Sequence, residues 1–267
     1  MVRESPSPEV LAAFGAREGA VLLPGGQGGT WRSGEIVLKR CGLVAEADWA
    51  AVVLSEIEDT ARFRVARPVR ARDGGWVVQG WHAWWLTPGH PDPRRWDEVL
   101  AAGEAFHEAL AGLARPRFLD ERDDPWTYGE RIAWAELPLP DGAVMAELLE
   151  PLARSRRPVD LPFQVVHGDL LGNVMFADGL APAVIDWPVY FRPAHWALAV
   201  AVVDAATWHG APAAWVERTA DRVGGDQLLI RALMYRIATN EGFRRAGMPV
   251  RERTADYRPV VELVLGS

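Results

Sequence analysis

A chain of 267 residues, 49% apolar and 24% charged, has a globular composition and suffices for one large domain or two modest ones sharing a cleft. A net charge of −7 excludes a general nucleic-acid binder, which needs a basic face, and a longest apolar run of only residues 196–203 excludes a helical membrane span. One cysteine, Cys41, excludes an internal disulfide framework; with no apolar signal core at the N-terminus, the expected location is cytoplasmic.

In chain order, Ser7-Pro8-Glu9 predicts a helix start, serine capping and proline in the first turn, and the helix ends by Gly15. Residues 20–23 read as a strand, followed by Pro24, Gly25, Gly26, Gln27, Gly28, Gly29 and Thr30. Four glycines in five residues let backbone N–H groups approach an anion closely. Two strands joined at Ser33-Gly34 carry the chain to Lys39. Of 29 basic residues, Lys39 is the only lysine, so this position has kept a compact ammonium on a flexible stem where arginine serves everywhere else. Residues 44–58 have helical spacing, and residues 68–71 and 76–79, joined by Asp73-Gly74, complete an expected five-stranded antiparallel sheet. Gly80, Trp81, His82 and Ala83 then lead to a proline-rich linker over residues 87–93.

Beyond it the chain turns helical. Spacing of three and four predicts helices over residues 96–113, 126–136 and 143–154, and later over 194–209, 213–223, 226–245 and 251–265. The acidic run at residues 119–124 reads as a solvated loop at a helix start.

The stretch between these two helical sets is the most informative. Residues 163–166 form a strand leading into a polar turn with His167, Asp169 and Asn173; two short strands then flank Asp178-Gly179, a hairpin signal, and Asp186 stands just past the second. A tight hairpin brings Asn173 and Asp186 to its open end. One carboxylate is then free to orient a hydroxyl, while an amide oxygen and a second carboxylate are hard ligands suited to Mg²⁺ accompanied by phosphate. That division of labour belongs to phosphoryl transfer. His167 has no second histidine at a ligand spacing and is taken as structural.

His167-Gly-Asp169…Asn173 followed by Ile185-Asp186-Trp187 resembles the aminoglycoside phosphotransferase and choline kinase group, small-molecule kinases with the protein-kinase-like fold. The resemblance spans roughly residues 20–210. It implies that Asp169 is catalytic, that Asn173 and Asp186 hold magnesium, that the loop from Gly25 to Thr30 covers the nucleotide, and that Lys39 contacts its phosphates. It further implies a helix glutamate paired with Lys39, Glu46 by distance from the helix end or Glu56 by sequence gap, with Glu46 preferred. The connection between lobes, whose backbone meets the base, falls around Trp81 and His82. Two departures stand out: three residues separate Asp169 from Asn173 where the family usually has four, and Pro188 follows Asp-Trp. The thirteen-position step from Asn173 to Asp186 is the usual one.

The expectation is therefore a two-lobed α+β protein, residues 1–82 forming a β-rich nucleotide lobe and 83–267 a helical catalytic lobe. It would be a monomer or homodimer transferring the γ-phosphoryl group of ATP, with GTP as the other candidate donor, to a small-molecule hydroxyl with Mg²⁺. The alternatives are a nucleotide-binding pseudokinase and a two-carboxylate hydrolase. No nucleic acid or membrane partner is expected.

Overall fold

The computed structural model describes residues 4–17, 19–24, 28–250 and 252–266. The Ser7 side chain accepts from the Val10 amide and caps α1 (Pro8–Ala13). Strands β1 (Val21–Leu22), β2 (Thr30–Ser33) and β3 (Ile36–Arg40) precede α2 (Val44–Glu56), after which come β4 (Arg64–Val65), β5 (Val77–Val78), β6 (Trp81–Trp85) and β7 (His90–Pro91). Then α3 (Trp96–Leu110), α4 (Pro125–Ala133) and α5 (Ala146–Ser155) lead to β8 (Gln164–His167), β9 (Val174–Phe176), β10 (Ala183–Val184) and β11 (Val189–Arg192). The remaining helices are α6 (Ala194–Trp208), α7 (Ala213–Ala220), α8 (Asp226–Arg245) and α9 (Thr254–Leu265). The expected α+β class holds.

These elements form two compact units. The first takes the described chain up to Pro91 together with Val174–Trp187; the second takes Asp92–Asn173 and the chain from Pro188 onward.

In the first unit a five-stranded antiparallel sheet has the order β1-β2-β3-β6-β5. Its membership differs from the sequence expectation. Residues 68–71 contribute only an isolated bridge, Pro68 to Trp84, while Trp81–Trp85, read as the approach to a linker, is a central strand. The burial alternation explains this: Trp81 and Ala83 join Ile36, Leu38, Val10, Phe14, Val69 and Ala71 in one core, and His82 and Trp84 take the other face. Burying a side chain such as Leu38 stabilises by about 1.5–3 kcal/mol, more than a linker would forgo. A domain break after residue 82 would cut this strand.

A second sheet, β4-β10-β9-β7, explains why the hairpin belongs to this unit. β10 runs parallel to β4, pairing Ala183 with Arg64, and β9 pairs with β7, Phe176 opposite His90. The expected linker is thus partly a strand. Gly89 (φ +110°) is required there, because a Cβ would lie 2.3 Å from the Phe176 carbonyl oxygen.

In the second unit α8 is buried along most of its length and packs against α4, α5, α6 and α9. The two-stranded pair β8-β11 sets Val189 opposite His167 and Tyr190 opposite Val166. Among the described residues no helix is long and apolar enough to cross a membrane.

Candidate active site

In the first unit the β2-β3-β6 register lines up Thr30, Lys39 and His82 across three strands. Cross-strand neighbours share a face, so this row stands on the side of the sheet opposite the core. Lys39 Nζ donates to both carboxylate oxygens of Asp186, at 2.7 and 2.8 Å. Glu46 stands in the first turn of α2 and Glu56, exposed, at its last residue. Asp186 reaches the lysine from a left-handed backbone, φ +45°, a conformation that aspartate tolerates better than most residues. Trp187 beside it packs on Trp49 of α2, ring centroids 5.6 Å apart.

His82 is held largely neutral. Burial first, then the Lys39 charge, lowers its pKa to about 4, against an upward pull from Asp186. Trp81 is spent on the core and its ring contacts the Arg40 guanidinium at 5.7 Å. In the glycine loop, the Leu23 amide donates to the Thr30 carbonyl at 2.9 Å and Gly28 sits at φ +72°. Gly29 has open space around it; Gly25, Gly26 and Gln27 lie outside the described residues.

In the second unit the His-Gly-Asp turn is pinned at each residue. The His167 amide donates to His107 Nε2 (3.0 Å), the Gly168 amide to the Pro188 carbonyl (3.2 Å), and the Asp169 amide to His167 Nδ1 (3.1 Å). A Cβ on Gly168 would lie 2.3 Å from the Tyr190 ring, so the turn needs glycine for space. Pro188, one of the two departures in sequence, directly precedes β11 and supplies the carbonyl that holds the Gly168 amide.

The other departure is absorbed in a tight turn. The Asn173 amide donates to the Leu170 carbonyl at 2.9 Å, and Gly172 takes φ +86°, as the third position of a type II turn requires. Leu170 and Leu171 are buried beneath it. Asn173 Nδ2 then donates back to the Asp169 carbonyl (2.7 Å) and to its Oδ2 (3.2 Å). Asp169 Oδ1 accepts from Arg236 Nη2 of α8 at 2.5 Å, and Arg236 is itself held by buried Asp204 of α6 through Nε (2.8 Å) and Nη2. Burial, against the pull of Arg236, pushes Asp204 up to about 6, so it remains mostly ionised at neutral pH.

Each unit keeps a hard oxygen donor of the kind Mg²⁺ takes beside phosphate and water. Asn173 spends its Nδ2 on Asp169 and keeps an amide oxygen; Asp186 offers a half-exposed carboxylate. Among the described residues no group of three His, Cys, Asp or Glu side chains could hold a metal, and Mg²⁺ commonly takes only one or two protein carboxylates beside phosphate and water.

Three residues escaped sequence reasoning. His107 lies sixty positions before His167, and its burial lowers it to about 3, which keeps Nε2 an acceptor. Arg236 and Asp204 sit in helices read only for their apolar spacing. Trp196 is fully buried against Tyr190, Tyr235 and Trp134.

No curated protein matches the sequence. Among solved structures, aminoglycoside phosphotransferase APH(4)-Ia, as a thermostable mutant in ternary complex with AMP-PNP and hygromycin B, is similar over 96% of this chain and 95% of its own (TM-score 0.56, 15% identity). A choline/ethanolamine kinase family protein from Mesorhizobium loti is similar over 98% and 92% (TM-score 0.55, 17% identity). Spectinomycin phosphotransferase APH(9)-Ia, in complex with ADP and spectinomycin, is similar over 92% of each chain (TM-score 0.51, 14% identity). At these identities the likeness is one of fold, the protein-kinase-like fold. A model of the phosphotransferase enzyme family (APH) matches residues 29–229, three quarters of the sequence, and the chain belongs to that family.

Proposed function

We propose that this protein is a small-molecule kinase that transfers the γ-phosphoryl group of ATP to a hydroxyl of its acceptor. The observation that carries the reading is the Lys39–Asp186 pair. The chain's only lysine and the carboxylate beyond the hairpin, 147 positions apart, meet in one ion pair. Without nucleotide each charge satisfies the other; with nucleotide, Lys39 is free to grip the α and β phosphates. Asn173 and Asp186 would hold Mg²⁺, which supplies charge neutralisation when bound. The glycine loop from Gly25 to Thr30 would cover the phosphates, and His82, neutral and in register with Lys39, adds no competing positive charge. Asp169 orients the acceptor hydroxyl toward the γ-phosphorus and accepts its proton late, because phosphoryl transfer is mostly positioning.

The test is Asp169→Asn. Turnover of Mg-ATP should fall by at least a hundredfold while Mg-ATP affinity, read by calorimetry, stays within about threefold, since the group serves the acceptor and not the phosphates. Equal loss of binding and turnover would place Asp169 on the nucleotide instead. Wild-type protein that binds Mg-ATP but transfers to no member of a broad hydroxyl panel would establish a nucleotide-binding protein without transfer.

A further inference from the structure

We infer that Arg236 is a positioning residue for Asp169, clamping the carboxylate that meets the acceptor hydroxyl; this rests on the kinase reading above. Asp169 is bound on both oxygens, Oδ1 by Arg236 Nη2 and Oδ2 by Asn173 Nδ2. Two donors from opposite sides leave a carboxylate one orientation. The turn already fixes the Asp169 backbone through His167, so the arginine is what remains to fix the side chain.

Arg236 is suited to this because it is immobile. Its side chain is 8% exposed, its Nε and Nη2 are committed to Asp204, and its guanidinium lies 4.9 Å from the Tyr235 ring centroid and 5.8 Å from that of Trp208. Asp204 ties Arg236 of α8 to α6, and the same Nη2 reaches on to Asp169. Its place is on the half-exposed carboxylate that the chemistry requires. A planar fork grips two carboxylates in fixed geometry where a lysine would hold one loosely. Misplacing a reacting group by an ångström can cost about a hundredfold in rate.

Removing Arg236 alone strands a buried Asp204, so the decisive variant removes the buried pair together, Arg236→Met with Asp204→Leu; replacing both ions by apolar groups is often tolerated. Mg-ATP affinity should remain within about threefold, and turnover of Mg-ATP, with an acceptor or with water, should fall at least tenfold through kcat. Arg236→Lys in the wild-type background should recover part of that loss. Turnover within twofold of wild type in the paired variant overturns the inference, as does Arg236→Lys no better than the paired variant. A second measurement is independent of turnover: urea midpoints for Asp169→Asn, for the paired variant and for their combination. A combined shift smaller than the sum of the separate shifts supports the clamp; strict additivity overturns it. If the wild type binds Mg-ATP and transfers to nothing, the kinase reading fails, and this cycle still decides whether Arg236 holds Asp169.

Discussion

Helix α8, which carries Arg236 to Asp169, lies close against α4. Gly129 is where they touch: a Cβ there would sit 2.6 Å from the Thr239 amide nitrogen and Oγ1, and 2.7 Å from the Tyr235 carbonyl oxygen. Ordinary contact begins near 3.4 Å, and two of these three obstacles are backbone, so Gly129→Ala must push the helices apart by about 0.8 Å. Overpacking costs about 1–3 kcal/mol, and obstacles that are largely backbone put this case in the upper half of that range, about 2–3 kcal/mol. Alanine returns about 0.8–1.0 kcal/mol of helix propensity, which leaves a net loss of roughly 1–2 kcal/mol. For a chain of this size that is a fall in melting temperature of about 2–8 °C. Gly103→Ala supplies the comparison, since its new methyl meets the movable ends of Leu170 and Leu198, and it should cost less. Urea and thermal unfolding of both variants measure the order. A Gly129→Ala protein as stable as wild type, or more stable than Gly103→Ala, would refute the claim that α4 and α8 meet backbone to backbone.

Two further predictions concern charge. Lys39→Ala should weaken Mg-ATP binding at least tenfold by calorimetry, and Lys39→Arg should not restore it, because a planar fork cannot occupy the volume of an ammonium between the Asp186 oxygens; an arginine variant with wild-type affinity refutes the argument from the single lysine. The second is stability against pH. His82 and His107 have folded pKa values of about 4 and 3, below the ordinary 6.5, so the unfolded chain takes up protons that the folded chain refuses. Their stabilising contribution is complete above pH 6.5 and is lost as pH falls toward 3–4, while Asp204, raised to about 6, acts in the opposite sense. His107→Gln should therefore flatten the fall of the urea midpoint between pH 7 and 5; an unchanged slope counts against a buried, neutral His107.

Local chemistry was legible where it was decisive over a few residues. The α8 bounds follow from apolar spacing alone, and Asp178-Gly179 marks the β9-β10 hairpin, whose register pairs Val174 with Val184. Ser7 caps a helix as expected, and the acidic run read as a loop at a helix start ends in Asp124, which caps α4 by accepting from the Thr127 amide. What stayed hidden depends on distant partners. Trp81–Trp85 is a strand because β3 lies beside it, although its flanking glycine and the prolines beyond suggested a linker. β11 carried a signal in Val189-Tyr190-Phe191, but a four-residue strand after proline is weak without knowledge of β8. The hydrogen bonds of His107, Asp204 and Arg236 join elements dozens of positions apart, and no spacing rule announces them.

The solitary lysine has a practical consequence. An amine-selective acylating reagent finds, apart from a chain terminus, a single side chain with which to react, so a side-chain tag located by peptide mapping reports on Lys39 alone. Its amine is held by two Asp186 oxygens, and only a third of the side chain is exposed. Acylation must wait for that pair to open. The labelling rate is therefore a clock for the opening, and any molecule that takes Lys39 as its own partner will slow the clock in proportion to its occupancy.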